Sequence, residues 1–252
     1  MSGPAAVVVA HPDDEILWLS SALASAARVV FCFGDPFGKP EKATARRRAV
    51  AALPLPRLLD LKLPESGGGF AVNWQTPEPT RFGIALTDPA AQARYEANFE
   101  HLLAALRPAL TGIAEVYTHN PWGEYGHAEH VQVYRAVAAL QAELGYTIWF
   151  SNYVSARSWP LAVQSSALPS WTERRSARPD LALARRLMRI YRQHGAWTWT
   201  RFHIWPAQEQ LYAQSPAQDP TPRHALSGET LLDTAGLRWW PPPWRAAHRR
   251  LG

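Results

Sequence analysis

One cysteine, Cys32, among 252 residues leaves this chain no disulfide framework and no multi-cysteine metal site. Nor does any stretch approach the roughly 20 uninterrupted apolar residues of a membrane-spanning helix. Met1-Ser2-Gly3-Pro4 runs into an apolar segment with no basic stretch before it, which argues against a secretory leader. A cytoplasmic address is therefore the expectation. Internal repeats and low-complexity linkers are missing, so one domain is expected over residues 1–252. Lysine is scarce, with only Lys39, Lys42 and Lys62 beside 23 arginines. With 47% of its residues apolar and 19% charged, the chain is not a disordered one.

The net charge of +5 invites a nucleic-acid reading that its distribution weakens. Residues 1–172 carry 13 Lys+Arg against 15 Asp+Glu, whereas residues 173–252 carry 13 against 6. Basicity belongs to the last third and is nearly all arginine, which reads as a dispersed charged surface and not a phosphate-binding patch. No nucleic-acid partner and no membrane span are expected.

Residues 5–10 form a short apolar run rich in valine, the signature of a strand buried on both faces. A helix is predicted over 16–26, a strand over 28–33, a helix over 41–53 and a strand over 58–63. Residues 64–89, with Ser66-Gly67-Gly68-Gly69, read as a long loop, of the kind that often serves as a lid or binding segment. A helix follows over 90–106, ended by Pro108, then a strand over 113–118, a helix over 127–144, a strand over 147–152 and a helix over 181–194. The end of the chain, with Trp239-Trp240-Pro241-Pro242-Pro243-Trp244, reads as an irregular Trp- and Pro-rich extension from about residue 173. The strand–helix alternation predicts a Rossmann-like α/β fold, a mostly parallel sheet with helices on both faces.

Two segments concentrate metal-ligand side chains, and each follows a predicted strand. In His11-Pro12-Asp13-Asp14-Glu15, His11 and Asp14 are three apart across a strand-to-helix turn, beyond the carboxyl end of the strand where open parallel sheets bind ligands. Two adjacent carboxylates are costly unless a cation neutralises them or one takes a proton. The alternative is an Asp cap with acidic first-turn residues that suit the helix dipole. The second segment is Tyr125-Gly126-His127-Ala128-Glu129-His130, in which His127 and His130 share one helical face. His11, Asp14 and His130 together make two imidazoles and one carboxylate. That set leaves coordination positions open for water, as a catalytic zinc requires, and equally suits non-haem Fe(II).

These two motifs, in this order and strand context, resemble the PIG-L/LmbE family of zinc-dependent N-deacetylases, across roughly residues 5–155. The resemblance implies zinc held by His11, Asp14 and His130, Asp13 as general base, and His127 as electrostatic stabiliser or proton donor. Tyr125 matches a position that helps polarise the substrate carbonyl in some members. The family's His-Pro-Asp-His stands here as His127-Ala128-Glu129-His130, which keeps both histidines and a carboxylate between them. The family's Arg followed three residues later by Glu is incomplete here, because Ala49 stands three after Arg46. Arg46, Arg47 and Trp122 are the candidate substrate contacts. The implied activity is hydrolysis of an N-acetyl or other N-acyl group from a small amino-sugar conjugate. A metal amidase acting on a non-sugar acyl amide and a non-catalytic carbohydrate-binding protein that keeps the metal site are the alternatives.

Weaker signals remain. Trp197, Trp199, Trp239, Trp240 and Trp244 read as packing residues, or as an aromatic wall for a bulky ligand. His119 is either a partner of the metal ligands or a plain strand-end residue. His101, His194, His203, His224 and His248 are read as structural, and Cys32 as a buried small hydrophobe.

Overall fold

The structure is a computed structural model that describes residues 3–55, 57–166, 171–200, 203–216 and 230–231. The N-terminal apolar run forms β1 (Ala5–Val9), buried throughout. Its side chains divide by the period-two rule of a strand. Ala6 and Val8 join one core; Ala5, Val7 and Val9 join another on the opposite face. Such a strand belongs in the middle of a sheet covered on both sides.

The first half continues with α1 (Asp14–Trp18), α2 (Ser20–Leu23), β2 (Ala26–Asp35), α3 (Pro40–Ala52), β3 (Leu58–Pro64), the small hairpin β4 (Pro79–Thr80) and β5 (Gly83–Ile84), and α4 (Pro89–Leu110). Then come β6 (Glu115–Thr118), α5 (Ala128–Leu144), β7 (Thr147–Ser151), β8 (Tyr153–Val154), α6 (Trp159–Ser166), β9 (Trp171–Ala177), α7 (Leu181–Gln193), β10 (Glu209–Gln214) and β11 (Thr230–Leu231).

Seven strands form the main sheet in the order β3-β2-β1-β6-β7-β10-β9. The first five are parallel, while β10 runs antiparallel to both of its neighbours. Apolar faces of α4 and α5 pack with Ala6, Val8 and Val116 on one side. Those of α1, α3 and α7 pack with Val7, Val9 and Val29 on the other. The chain leaves β1 towards β2 on one side and leaves β6 towards β7 on the other. The crevice between the carboxyl ends of β1 and β6 is therefore a topological switch point, where folds of this kind bind ligands.

Several elements differ from the sequence expectation, each for a physical reason. The helix expected over 16–26 is two short ones, broken where Leu19 adopts φ −141° and ψ 28°. The break is held by a distant carboxylate: Ser20 and Ser21 donate both backbone N–H groups and both hydroxyls to Glu209, at 2.5–3.1 Å. α4 runs past Pro108 to Leu110, because Ala109 and Leu110 are buried in its last turn and reward the continuation. The chain beyond residue 173 is more regular than expected, since β9 and β10 complete the sheet and α7 covers it. Trp239, Trp240, Trp244, His224 and His248 lie outside the described residues. Trp197 and Trp199 pack against the core that holds α1 and α7, and Trp205 is buried in it. Cys32 is fully buried within β2. No helix among the described residues is long and apolar enough to cross a membrane.

Burial holds the Glu209 carboxyl above its ordinary range, and its four donors pull the other way. Glu209→Ala leaves one buried and one partly buried backbone donor unanswered, so urea denaturation should register a loss of about 2–4 kcal/mol. An unchanged unfolding midpoint would remove this clasp from the account of the fold.

Candidate metal centre

The turn after β1 closes on itself. The His11 backbone N–H donates to Asp14 Oδ2 at 2.8 Å, and the Asp14 N–H returns to the His11 carbonyl at 3.2 Å. Asp13 between them is held at φ 104°, a conformation that costs a non-glycine residue energy and persists where surrounding contacts impose it. Those contacts are visible. The Asp13 N–H donates to Glu15 Oε2 at 2.9 Å, and Glu15 Oε1 accepts the Tyr191 hydroxyl of α7 at 2.7 Å. Asp13 Oδ2 accepts both the backbone N–H and the hydroxyl of Thr198, at 3.0 and 2.7 Å. Asp14 Oδ1 accepts the Trp18 indole N–H at 2.9 Å, which turns Oδ2 towards the histidines.

The turn after β6 supplies those histidines. His127 caps α5 and His130 sits in its first turn. Between them and β6, Glu124 adopts a left-handed conformation at φ 49° in the turn flanked by Gly123 and Gly126. Its Oε1 accepts the Asn120 backbone N–H at 3.0 Å, and its Oε2 faces two imidazoles, His119 Nδ1 at 3.0 Å and His130 Nδ1 at 2.7 Å. One carboxylate thereby fixes the tautomer of both rings, which stack with centroids 3.9 Å apart. Glu124 leaves His130 Nε2 buried, without a hydrogen-bond partner, and 3.3 Å from Asp14 Oδ2. His11 Nδ1 lies 3.1 Å from the same oxygen.

These distances match the roughly 3.3 Å edge of a tetrahedron with metal–ligand bonds near 2.0–2.1 Å. An unpartnered buried imidazole nitrogen aimed at a carboxylate oxygen is the arrangement a cation would complete, so the residues present fit a metal ion. His119, Asp14 and His130 also approach within 4.8 Å of one another, as do His11, His127 and His130. His119 cannot serve, however. Its Nε2 already accepts the Ala10 backbone N–H at 2.8 Å and its Nδ1 is committed to Glu124. It joins the two turns through Ala10 and Glu124.

The electrostatics follow from burial and proximity. Burial, and then the Asp14 charge, push Asp13 up to about 7, against the two Thr198 hydrogen bonds. Burial alone would raise Asp14 too, but the charge of His130 and the His11 imidazole at 3.1 Å hold it well below its usual range. Two neighbouring carboxylates are thus driven apart, one ionised and one near neutrality. Burial opposes the charge on His130, yet Asp14 and Glu124 on either side push it up to about 10.

A pocket opens beside this cluster, lined by His11, Asp13, Asp14, Arg46, Tyr125 and His127, with further residues from α3, the 64–89 loop and the segment after α7. Arg46 is buried and pairs with Glu65 at 2.7 Å. Glu65, at the end of β3, supplies the acidic partner that Ala49 does not. Its Oε1 also lies 3.4 Å from His11 Nε2. His127 Nδ1 lies 3.1 Å from Glu129 Oε2, and Glu129 in turn accepts the Ser66 hydroxyl at 2.5 Å. Gly69 of the long loop passes so close that a Cβ there would come within 2.7 Å of the His127 ring, so only glycine lets the loop close over it.

Two candidate substrate contacts lie elsewhere. Trp122 is fully buried, donating its indole N–H to the Tyr153 carbonyl at 2.6 Å and meeting Phe150 edge-on, because the turn packs it inward against β7. Arg47 is exposed, with its guanidinium on Thr44 at 2.9 Å one turn back on α3, and it does not line the pocket. Glu65, Phe70 and Thr198, which the sequence did not single out, border the pocket together with Trp199, one of the aromatic-wall candidates, and Glu124 sets the rings behind it.

No family model matches the chain, and no curated relative does. Solved structures do share its fold. One is a deacetylase in complex with teicoplanin, from the teicoplanin biosynthesis pathway, at TM-score 0.54 and 12% identity over 83% of this chain and 97% of that one. Another is the zinc-inhibited form of a teicoplanin deacetylase, at TM-score 0.53 and 13% identity over the same shares. At this identity the likeness is one of fold.

Glu124→Gln removes the charge that orients His130 while keeping the side chain's shape. Divalent-cation affinity, measured by competition with a chelating dye, should fall about 10–100-fold. Unchanged affinity would separate Glu124 from the candidate centre.

Proposed function

We propose that the chain is a metal-dependent hydrolase that removes an N-acetyl or other N-acyl group from an amino-sugar conjugate. The observation that carries this reading is the pairing of Asp14 Oδ2, flanked by His11 and His130, with a second carboxylate, Asp13, in one open pocket. His11, Asp14 and His130 would hold the metal, zinc or Fe(II). When bound, that ion would polarise the acyl carbonyl and acidify the attacking water.

The side chains around it have separable tasks. Asp13 takes the water proton, and Thr198 occupies its Oδ2 so that Oδ1 is the atom left to receive it. A base poised near 7 suits a reaction run at neutral pH, and the same carboxyl can pass the proton to the departing amine. His127, backed on Nδ1 by Glu129, presents its other edge to the developing oxyanion, with Tyr125 beside it at a ring-centroid distance of 5.8 Å. Arg46, held by Glu65, contacts the conjugate's hydroxyls. Residues 1–252 are taken as one domain in this reading; among the described residues β9 and β10 complete the sheet that carries the pocket, α7 packs on it, and Thr198 holds the base.

Asp13→Ala should retain stoichiometric metal by elemental analysis while amine release falls about 10²–10⁴-fold. His130→Ala should lose the metal itself. A panel of N-acetylated amino sugars and their conjugates, assayed for free amine with zinc-loaded and Fe(II)-loaded protein, tests the activity directly. Turnover of none of them with metal bound would overturn the reading.

A further inference from the structure

Lys39 and Lys42 line the same pocket as Asp13 and Arg46. Both ride on the start of α3, Lys39 at its cap position and Lys42 three residues on, with Arg46 a turn further. Spacing of three and four places their side chains along one face of the helix. Arg46 is neutralised by Glu65 at 2.7 Å, whereas neither lysine ammonium has a hydrogen-bond or ion-pair partner among the described residues. Both are exposed at the pocket rim. The positive end of the helix dipole points to the same place.

The choice of cation is itself informative. This chain uses arginine for 23 of its 26 basic residues, yet two of its three lysines stand together here. An ammonium is a compact charge on a flexible stem that meets an anion in many geometries, unlike the fixed fork of a guanidinium. Partial burial, and then Lys39 and Arg46, hold the Lys42 ammonium below its ordinary value, with Glu65 and Asp13 offsetting only part of this. The rim therefore carries two ammonium groups with no ion-pair partner among the described residues, and the pocket's carboxylates act on Lys42 only from a distance. The same pocket is also lined by the apolar side chains of Leu17, Phe70 and Trp199.

We propose that Lys39 and Lys42 form a subsite for an anionic substituent, a carboxylate or a phosphate, on the conjugate bound in this pocket. This names the substrate class more closely and rests on the deacetylase reading above. An anion seated on α3 would leave these apolar side chains to the sugar face and fix which end of the conjugate reaches Asp13.

The test separates binding from turnover by using sugars that have no amide to cleave. Methyl glucoside, glucose 6-phosphate and the glucoside of glycolic acid are titrated by ligand-detected NMR into the wild-type protein and K39Q/K42Q. Both lysines are exposed, so the variant should keep its circular dichroism and melting temperature. The wild type should favour at least one anionic sugar over the neutral one by about tenfold or more. That preference should shrink with added salt as the Debye length falls to about 8 Å. In K39Q/K42Q the ratio should collapse towards one. The anion preferred tells phosphate from carboxylate. Equal affinities in the wild type, or a preference that survives in the variant, would overturn the subsite. Selective anion binding with no amine released from the N-acetylated counterparts would instead remove the deacetylase reading and leave the subsite standing.

Discussion

A buried carboxylate is costly unless positive charge or donors surround it, and around Asp14 that demand arranges the whole crevice. Its two oxygens have divided work. Oδ1 is tied to Trp18 within its own helix, and Oδ2 collects the His11 amide and faces the rings of His11 and His130. Glu124 repeats the logic from the other side by taking an N–H from each of two imidazoles. Alternating carboxylates and imidazoles make a chain of opposite partial charges across the gap between β1 and β6. Without it, two acidic turns and four histidines would have no reason to meet in the interior.

Much of this was legible in the sequence because its parts are local. The turn from His11 to Glu15 and the spacing of His127 and His130 each lie within a few residues of a strand end, and alternation of strands and helices places strand ends together. What was not legible depends on distance along the chain. Glu65 replaces an acidic partner expected at Ala49, and nothing at residue 49 announces that β3 brings one instead. Leu19 breaks a helix that apolar spacing favours because Glu209, on a strand near the far edge of the sheet, takes the freed donors of Ser20 and Ser21. Pro108 reads as a stop signal, yet burial of the two residues after it outweighs the proline. Trp122 reads as a sugar platform from its place beside the second motif, but the turn directs it to the core.

The pocket has an asymmetry that the metal-ligand motifs do not express. Its lining combines carboxylates and imidazoles, cations from the start of α3, and the aromatic rings of Phe70, Tyr125 and Trp199. A ligand bearing charge at one end and an apolar face along its length would enter such a pocket one way round. The start of α3, the glycine-rich loop and the stretch after α7 supply this part of the lining, outside the strand-end turns that carry the two motifs.

The bond from Thr198 to Asp13 spans 185 residues of sequence, and Glu209 reaches back 189 residues to Ser20. During synthesis the aspartate and histidine turns emerge first, while Thr198 and Glu209, which hold the proposed base and clasp the first helices, are made later. A ribosome-bound intermediate lacking them would carry the candidate ligands with a base that is not yet aimed. Translation thus makes the candidate ligand turns well before the residues that anchor Asp13 and the first helices.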